Sequence, residues 1–170
     1  MEIEVKFPLK DHVEEKIKNF AEFVKEKFEE DLYFSHPSRD FSITDEALRI
    51  RKDMEGVTIT YKGPKIDKET KSREEIKLKV SDFESAVLLF ERLGFRKFWT
   101  VRKRRKIYRF KDVIFCIDEV ELLGKFIEIE LEGGIERKEE LFTLASMLGY
   151  KKEESITKSY LEMLIELKNP

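Results

Sequence analysis

The first seven residues, Met1-Glu2-Ile3-Glu4-Val5-Lys6-Phe7, alternate apolar and charged side chains without a break. In a β-strand successive side chains point to opposite faces. Glu2, Glu4 and Lys6 therefore share one face, and Ile3, Val5 and Phe7 the other. The same period of two recurs along the chain. Leu48-Arg49-Ile50-Arg51 sets two arginines against Leu48 and Ile50. Val57 to Lys62 sets Thr58, Thr60 and Lys62 against Val57, Ile59 and Tyr61. Residues 73–80 set Arg73, Glu75, Lys77 and Lys79 against Ile76, Leu78 and Val80. Residues 126–132 set Glu128, Glu130 and Glu132 against Ile127, Ile129 and Leu131. Carboxylates cluster in the first and last strands, and Arg and Lys in the middle ones.

This pattern restricts the fold. Amphipathic helices elsewhere in the chain need an apolar surface to cover, and the Ile/Val/Leu faces supply it. The charged faces then lie together on the far side of one sheet. If the sheet curls with that face inward it forms a polar barrel, and if it stays flat the face is ordinary solvated surface. The residues alone leave both open.

A chain of 170 residues suits one domain, spanning residues 1–170. Charged residues make up 41% of it, against a typical quarter, yet 34 Lys and Arg nearly balance 36 Asp and Glu. A net charge of −2 argues against a nucleic-acid binder held by bulk positive charge. The single cysteine, Cys116, lies in an apolar strand and has no internal disulfide partner, which fits a core position and a reducing compartment. No hydrophobic run approaches membrane-spanning length, so the expected location is the cytoplasm, with no membrane partner.

Between the strands, Val13, Ile17, Phe20, Val24 and Phe28 recur at helical spacing, with Asp11 and Glu14 as a capping box, which predicts a helix ending near Glu29 to Asp31. Leu32 to Phe34 reads as a short strand. Residues 36–40 read as a loop in which His36 is a turn residue, and residues 65–71 as a polar, mobile loop. Ser81 and Glu84 form a second capping box before a helix marked by Phe83, Ala86, Val87, Phe90 and Leu93, stopped by Gly94. The last third is helical, with one stripe on Leu141, Leu144, Ala145 and Leu148 and another on Ile156, Tyr160, Leu164 and Leu167. Leu93-Gly94-Phe95 and Leu148-Gly149-Tyr150 match as helix endings and hint at an internal duplication.

Carboxylates two apart on a strand, as in Glu2/Glu4 and Glu128/Glu130, can converge on one point, and Asp118 can join them. Hard cations such as Mg²⁺ take such oxygen ligands. Arg49, Arg51, Lys62, Lys103 and Arg105 suit phosphate oxygens, Arg in a bidentate manner. Acid for metal and base for phosphate in one polar space describes a site for metal-bound polyphosphate. The chain has no Walker-type glycine loop and no legible Ser/His/Asp or Cys/His arrangement.

These residues resemble the CYTH superfamily, the triphosphate tunnel metalloenzymes. Glu2-x-Glu4-x-Lys6 matches the family's ExExK motif, and the remaining motifs arrive in order. Arg49-x-Arg51 resembles its RxR strand, Tyr61-Lys62-Gly63-Pro64 its lysine strand, and Arg73-x-Glu75 the motif that follows. Lys103-x-Arg105 resembles its second basic pair, Asp118 its aspartate, and Glu128-x-Glu130 its second acidic pair. Lys158-Ser159-Tyr160-Leu161 resembles its C-terminal segment.

The resemblance implies an α+β fold: a closed eight-stranded antiparallel β-barrel, the tunnel, with flanking helices. It implies metal ligands Glu2, Glu4, Glu75, Asp118, Glu128 and Glu130 for one or two Mg²⁺ or Mn²⁺ ions. It implies catalytic and phosphate-clamping roles for Lys6, Arg49, Arg51, Lys62, Lys103 and Arg105, with Tyr33, Arg73 and Lys158 as further substrate contacts. Within residues 102–105 the family spacing favours Lys103 and Arg105 as the inward pair. The sequence groups nearest the class IV adenylyl cyclases, which convert ATP to cyclic AMP and pyrophosphate. A phosphatase of tripolyphosphate, thiamine triphosphate or a nucleotide would use the same residues, and so would a non-catalytic polyphosphate- or nucleotide-binding module. The family frequently forms homodimers.

Overall fold

A computed structural model describes residues 2–168. Its frame is one eight-stranded sheet in the order β1-β8-β7-β6-β2-β3-β4-β5, with every neighbouring pair antiparallel. The strands are β1 (Glu2–Pro8), β2 (Glu22–Ser35), β3 (Ala47–Asp53), β4 (Gly56–Lys62), β5 (Glu75–Val80), β6 (Arg96–Phe110), β7 (Val113–Val120) and β8 (Gly124–Glu132). The helices are α1 (Val13–Lys18), α2 (Phe41–Thr44), α3 (Phe83–Arg92), α4 (Lys138–Met147) and α5 (Tyr160–Lys168). No described helix is long and apolar enough to cross a membrane.

The sheet curls strongly so that its charged face is concave. Glu4, Lys6, Glu29, Asp31, Arg49, Lys103, Arg105, Asp118 and Glu128 are all buried. Burying that many charges requires that they be paired or await a ligand. The apolar faces point outward and are covered in sections. α1 and α4 pack on β1, β8 and β7, where Ile3, Val5, Phe7, Ile127 and Ile129 meet Val13, Ile17, Leu141 and Ala145. α3 covers Phe34 and Ile50 with Ala86, Val87 and Phe90. α5 closes on Val101, Val120 and Phe126 through Tyr160 and Leu164. Each of Ile3, Val5 and Phe7 is completely buried, worth about 1.5–3 kcal/mol apiece.

The expected closed barrel is not formed. The curl is a half-barrel whose edge strands, β1 and β5, form no ladder; among the described residues the seam carries one bridge, between Glu2 and Arg73. Residues 63–74 run across this seam as a strap. Lys71 N donates to Glu4 O (2.9 Å), taking the hydrogen bond that β5 would make in a closed barrel. Past the bridge, residues 76–79 of β5 are exposed on both faces, and Lys77 and Lys79 guard the free edge.

The predicted long first helix is also corrected. α1 stops at Lys18, and residues 22–35 form a strand. β2 has β6 on one side and β3 on the other, so extended pairing outweighs local helical periodicity. The helical spacing was misleading because a bulge between Phe23 and Lys25 interrupts the strand's alternation. The Asp11/Glu14 capping box does not form. His12 caps α1 with φ 67°, and Glu14 accepts instead from the Tyr108 hydroxyl (2.7 Å) and the Lys106 ammonium (3.2 Å). At α3 the cap is Asp82, accepting from Ser85 N at 2.8 Å, in place of the predicted Ser81/Glu84 box. Leu32 to Phe34 are the end of β2.

The suspected duplication has a structural counterpart. The sheet order is symmetric about the central β2–β6 pair, with three further strands on each side. α3 and α4 each end on a glycine at positive φ, Gly94 at 99° and Gly149 at 97°. Each is followed by an aromatic residue whose N–H bonds five residues back: Phe95 to Phe90 O and Tyr150 to Ala145 O, both 3.0 Å.

Candidate active site

The concave face encloses a cavity of about 960 Å³, lined by groups from every strand of the sheet, with α5 and residues 34–47 at its rim. Register determines which charges meet. Arg105 lies opposite Asp118, Arg51 opposite Asp31, and Lys62 opposite Glu75. Each pair is an ion pair. Arg105 grips Asp118 with Nε and Nη2 (2.6 and 2.7 Å), Arg51 grips Asp31 in the same bidentate way (2.7 and 2.8 Å), and Lys62 reaches Glu75 at 3.0 Å. Lys103 lies opposite Glu29 and contacts both Glu29 (3.3 Å) and Asp31 (2.9 Å).

Arg49 differs. Its cross-strand neighbours are Tyr33 and Thr60, neither of them a carboxylate. Among the described residues it makes no ion pair, and its buried Nε has no hydrogen-bond partner. A buried guanidinium without an anion is a strong donor looking for an acceptor. It also holds the Tyr33 phenol below its ordinary pKa, outweighing burial.

The acidic side is built from β1 and β8. Glu4 lies directly opposite Glu130, and Glu2 is two residues along the same face. Carboxylate oxygens of Glu2, Glu4 and Glu130 lie within 4.8 Å of one another. Burial, reinforced by Glu128, pushes the Glu4 carboxyl up to about 7. Burial, then Glu2 and Glu4, pushes Glu130 well above the usual carboxylate range, and burial with Glu75 raises Glu2. Among the described residues Glu2 and Glu130 make no ion pair, and Glu4 has only Lys71, at 3.5 Å, which does not offset its burial. Burial also opposes ionisation of Glu128, but Lys71, Arg105 and Lys6 outweigh it and hold this carboxyl well below the usual range. Glu75 is held down to about 2 because Lys62 and then Lys77 outweigh burial.

Residues 1–160 match the CYTH domain profile. The chain belongs to the CYTH family. A Methanocaldococcus jannaschii protein provisionally named adenylate cyclase is 44% identical over 169 residues, covering 96% of this chain and 97% of its own. A Pyrococcus horikoshii protein of known structure superposes with a TM-score of 0.92 at 41% identity, over 98% of this chain and 99% of that one. A second P. horikoshii structure gives 0.84 at 37% identity, over 95% and 98%.

CYTH proteins are generally metalloenzymes with triphosphate substrates. The donor set here suits a hard divalent cation: Glu2, Glu4 and Glu130 offer only oxygens, lie close together, and carry the unrelieved repulsion that an ion would remove.

Of the six acids expected as metal ligands, these three form the cluster and the other three are engaged by basic groups. Asp118 is fully buried and spent on Arg105 and the Tyr160 hydroxyl (2.6 Å). Glu128 faces Arg105 and Lys71, and Glu75 faces Lys62. Among the expected substrate contacts, Lys6, Tyr33, Arg49, Arg51, Lys62, Lys103 and Arg105 are on the concave face, while Arg102 and Arg104 point outward to Glu30 and Glu119. Arg73 lines the cavity but donates to Gly63 O (2.6 Å) and Asp45 O (2.9 Å), fastening the strap. The Lys158 ammonium lies outside, paired with Glu166, and only its carbonyl matters inside, accepting from Lys6 Nζ at 2.8 Å.

Sequence reasoning missed Lys27, Glu29 and Asp31, which sat inside the supposed first helix. Their alternation with Tyr33, Lys27-x-Glu29-x-Asp31-x-Tyr33, is the signal that marks them as one strand face. It also missed Lys71, in the loop read as mobile, and gave no role to Tyr160, which it placed in a helical stripe and in the segment resembling the family's C-terminal one. The Tyr160 ring lies beneath Lys6 Nζ, 3.8 Å from its centroid.

Proposed function

We propose that this CYTH protein is a class IV adenylyl cyclase-like enzyme that converts ATP to cyclic AMP and pyrophosphate, using Mg²⁺ or Mn²⁺. The observation that carries the reading is the unpaired, buried Arg49 in the same cavity as three mutually repelling carboxylates. Arg49 lacks an anion, the carboxylates have only Lys71 beside Glu4 to offset their charge, and a metal-bound triphosphate supplies what each is short of.

A divalent ion bound at Glu2, Glu4 and Glu130 would neutralise phosphate oxygens as charge develops on them. Arg49 is the anion donor with no prior commitment. Lys62, Lys103, Arg51 and Arg105, oriented by their carboxylate partners, extend the positive wall along the phosphate chain. Cyclisation forms a bond from the ribose 3′-oxygen to the α-phosphorus and breaks the bond from that phosphorus to the α–β bridging oxygen. Pyrophosphate leaves with its electron pair, and the hydroxyl proton passes to water. The basic groups serve the leaving pyrophosphate, whose charge grows as that bond breaks.

Two further points favour a nucleotide over a bare phosphate chain. The cavity lining also includes Phe41, Phe98, Leu161 and Ile165, apolar surface that an inorganic polyphosphate would not use. The M. jannaschii relative carries the adenylate cyclase name.

The test is turnover by the purified protein with Mg²⁺ or Mn²⁺, supplied with ATP, tripolyphosphate and thiamine triphosphate in turn. Cyclic AMP with equimolar pyrophosphate from ATP is the expected result. Orthophosphate as the main product would overturn it in favour of a triphosphatase, and thermal stabilisation without turnover would reduce the protein to a binding module.

A further inference from the structure

We propose that Lys71 takes the place of a second divalent ion, so that the protein by itself holds one metal, among Glu2, Glu4 and Glu130, and not two. The inference rests on the metal-dependent reading above but not on which triphosphate reaction follows.

Four carboxylates, Glu2 and Glu4 on β1 and Glu128 and Glu130 on β8, stand side by side on the concave face. That number of acids suits a two-metal site, in which ions about 3.5–4 Å apart share ligands. Here the position between Glu4 and Glu128 is already taken. Lys71 Nζ lies 3.5 Å from Glu4 Oε1 and 3.4 Å from Glu128 Oε2, in a side chain that is only 7% exposed. A magnesium-like ion bonded to both carboxylates needs contacts of about 2.0–2.1 Å and would have to occupy the space the ammonium fills. The two cations exclude each other.

The strap delivers this ammonium by design of its backbone. Lys71 N donates to Glu4 O (2.9 Å), Ser72 O accepts from Ile66 N (2.9 Å), and Arg73 bridges Glu2. The Arg73 guanidinium then anchors the strap to Gly63 and Asp45. Lys71 is therefore held beside Glu4 by three successive residues of fixed backbone. Arg105 holds the other Glu128 oxygen, Oε1, so Oε2 is the atom that Lys71 keeps from a second ion. Glu2, Glu4 and Glu130 remain as the set able to take an ion.

The experiment counts Mn²⁺ ions bound per chain by equilibrium dialysis, without any triphosphate, and reads their electron paramagnetic resonance. The wild-type chain is expected to bind one ion with a six-line mononuclear signal. Lys71→Met is expected to bind two, with a spectrum broadened by coupling between them. Lys71→Arg, which keeps the charge, should return the count to one. The double variant Lys71→Met/Glu128→Gln should also bind one, because it removes the second ion's ligand. Two ions on the wild-type chain, or one on a folded Lys71→Met chain, would overturn the proposal. If Lys71→Met fails to fold, the wild-type and Lys71→Arg counts decide. Absence of any Mn²⁺ from the wild-type chain would overturn the metal reading as a whole, an outcome distinct from finding two.

Discussion

Replacing Asp118 by Asn separates two roles that its position in the sequence leaves indistinguishable. As a metal ligand, its loss would weaken metal binding. As the structure has it, Asp118 neutralises Arg105. It is completely buried and accepts three hydrogen bonds, from Arg105 Nε (2.6 Å), Arg105 Nη2 (2.7 Å) and the Tyr160 hydroxyl (2.6 Å). Asn offers one oxygen where Asp offers two, turns an N–H toward the guanidinium, and removes the charge. Breaking a buried ion pair by removing one partner costs about 3–5 kcal/mol. Glu128 still contacts Arg105 and offsets part of this, so the lower end, about 3 kcal/mol, applies. For a chain of this length about 2–4 °C is lost per kcal/mol, which gives a fall in Tm of roughly 6–12 °C. Tyr160→Phe removes only one hydrogen bond to the charged group, about 1.5–3 kcal/mol, and should lower Tm less. The assay is calorimetric unfolding of metal-free protein at neutral pH, paired with Mn²⁺ binding. The expected result is a large loss of Tm with Mn²⁺ affinity retained. An unchanged Tm together with lost Mn²⁺ affinity would refute the reasoning and return Asp118 to the metal site.

Glu130→Gln should weaken Mn²⁺ binding by more than about tenfold and abolish metal-dependent turnover. Its metal-free Tm should be equal to or above wild type, because it removes one of three repelling acids, and a lower Tm would count against that repulsion. Arg49→Met should raise the KM for the triphosphate by about 10–100-fold, the loss of one charge-assisted contact of about 1.5–3 kcal/mol. It should leave Tm nearly unchanged, whereas Arg51→Met, which strips Asp31 of a bidentate partner, should lower it. Metal-free stability should depend on pH in two opposite ways. Glu2, Glu4 and Glu130 have raised carboxyls, so the folded state holds their protons more tightly, and stability falls as pH rises from the ordinary carboxylate range through about 7, the value for Glu4. Glu29, Asp31, Glu75 and Glu128 are depressed, so their contribution is present above the ordinary range and is lost as pH falls through it toward about 2, the value for Glu75. Saturating Mg²⁺ should remove the decline toward neutral pH. A metal-free Tm that rises from pH 5 to 7.5 would contradict this.

The alternation in β1, β3, β4, β5 and β8 was readable as strands with one charged and one apolar face, because period two survives in sequence wherever no bulge intervenes. β2 was not readable apart from its end at Leu32 to Phe34. Its bulge at residues 23–25 breaks the period, and the apolar residues around it happen to fit a helix. That one misreading hid Lys27, Glu29 and Asp31 from the inventory of the cavity. The division of labour among the acids was equally invisible. Glu4 and Glu128 look alike in sequence and share Lys71, yet one faces Glu130 across the ladder and the other faces Lys6 and is paired with Arg105.

Composition and side-chain alternation thus decided that this chain would make an antiparallel sheet with a charged face, since strand geometry assigns alternate residues to opposite sides whatever their neighbours. Which carboxylates would be neutralised, which arginine would be left without a partner, and whether the sheet's two edges would join depended on register and on the strap at residues 63–74. Those are contacts between residues far apart along the chain, and ion-pair strength depends on distance and burial, neither of which a linear order of residues contains.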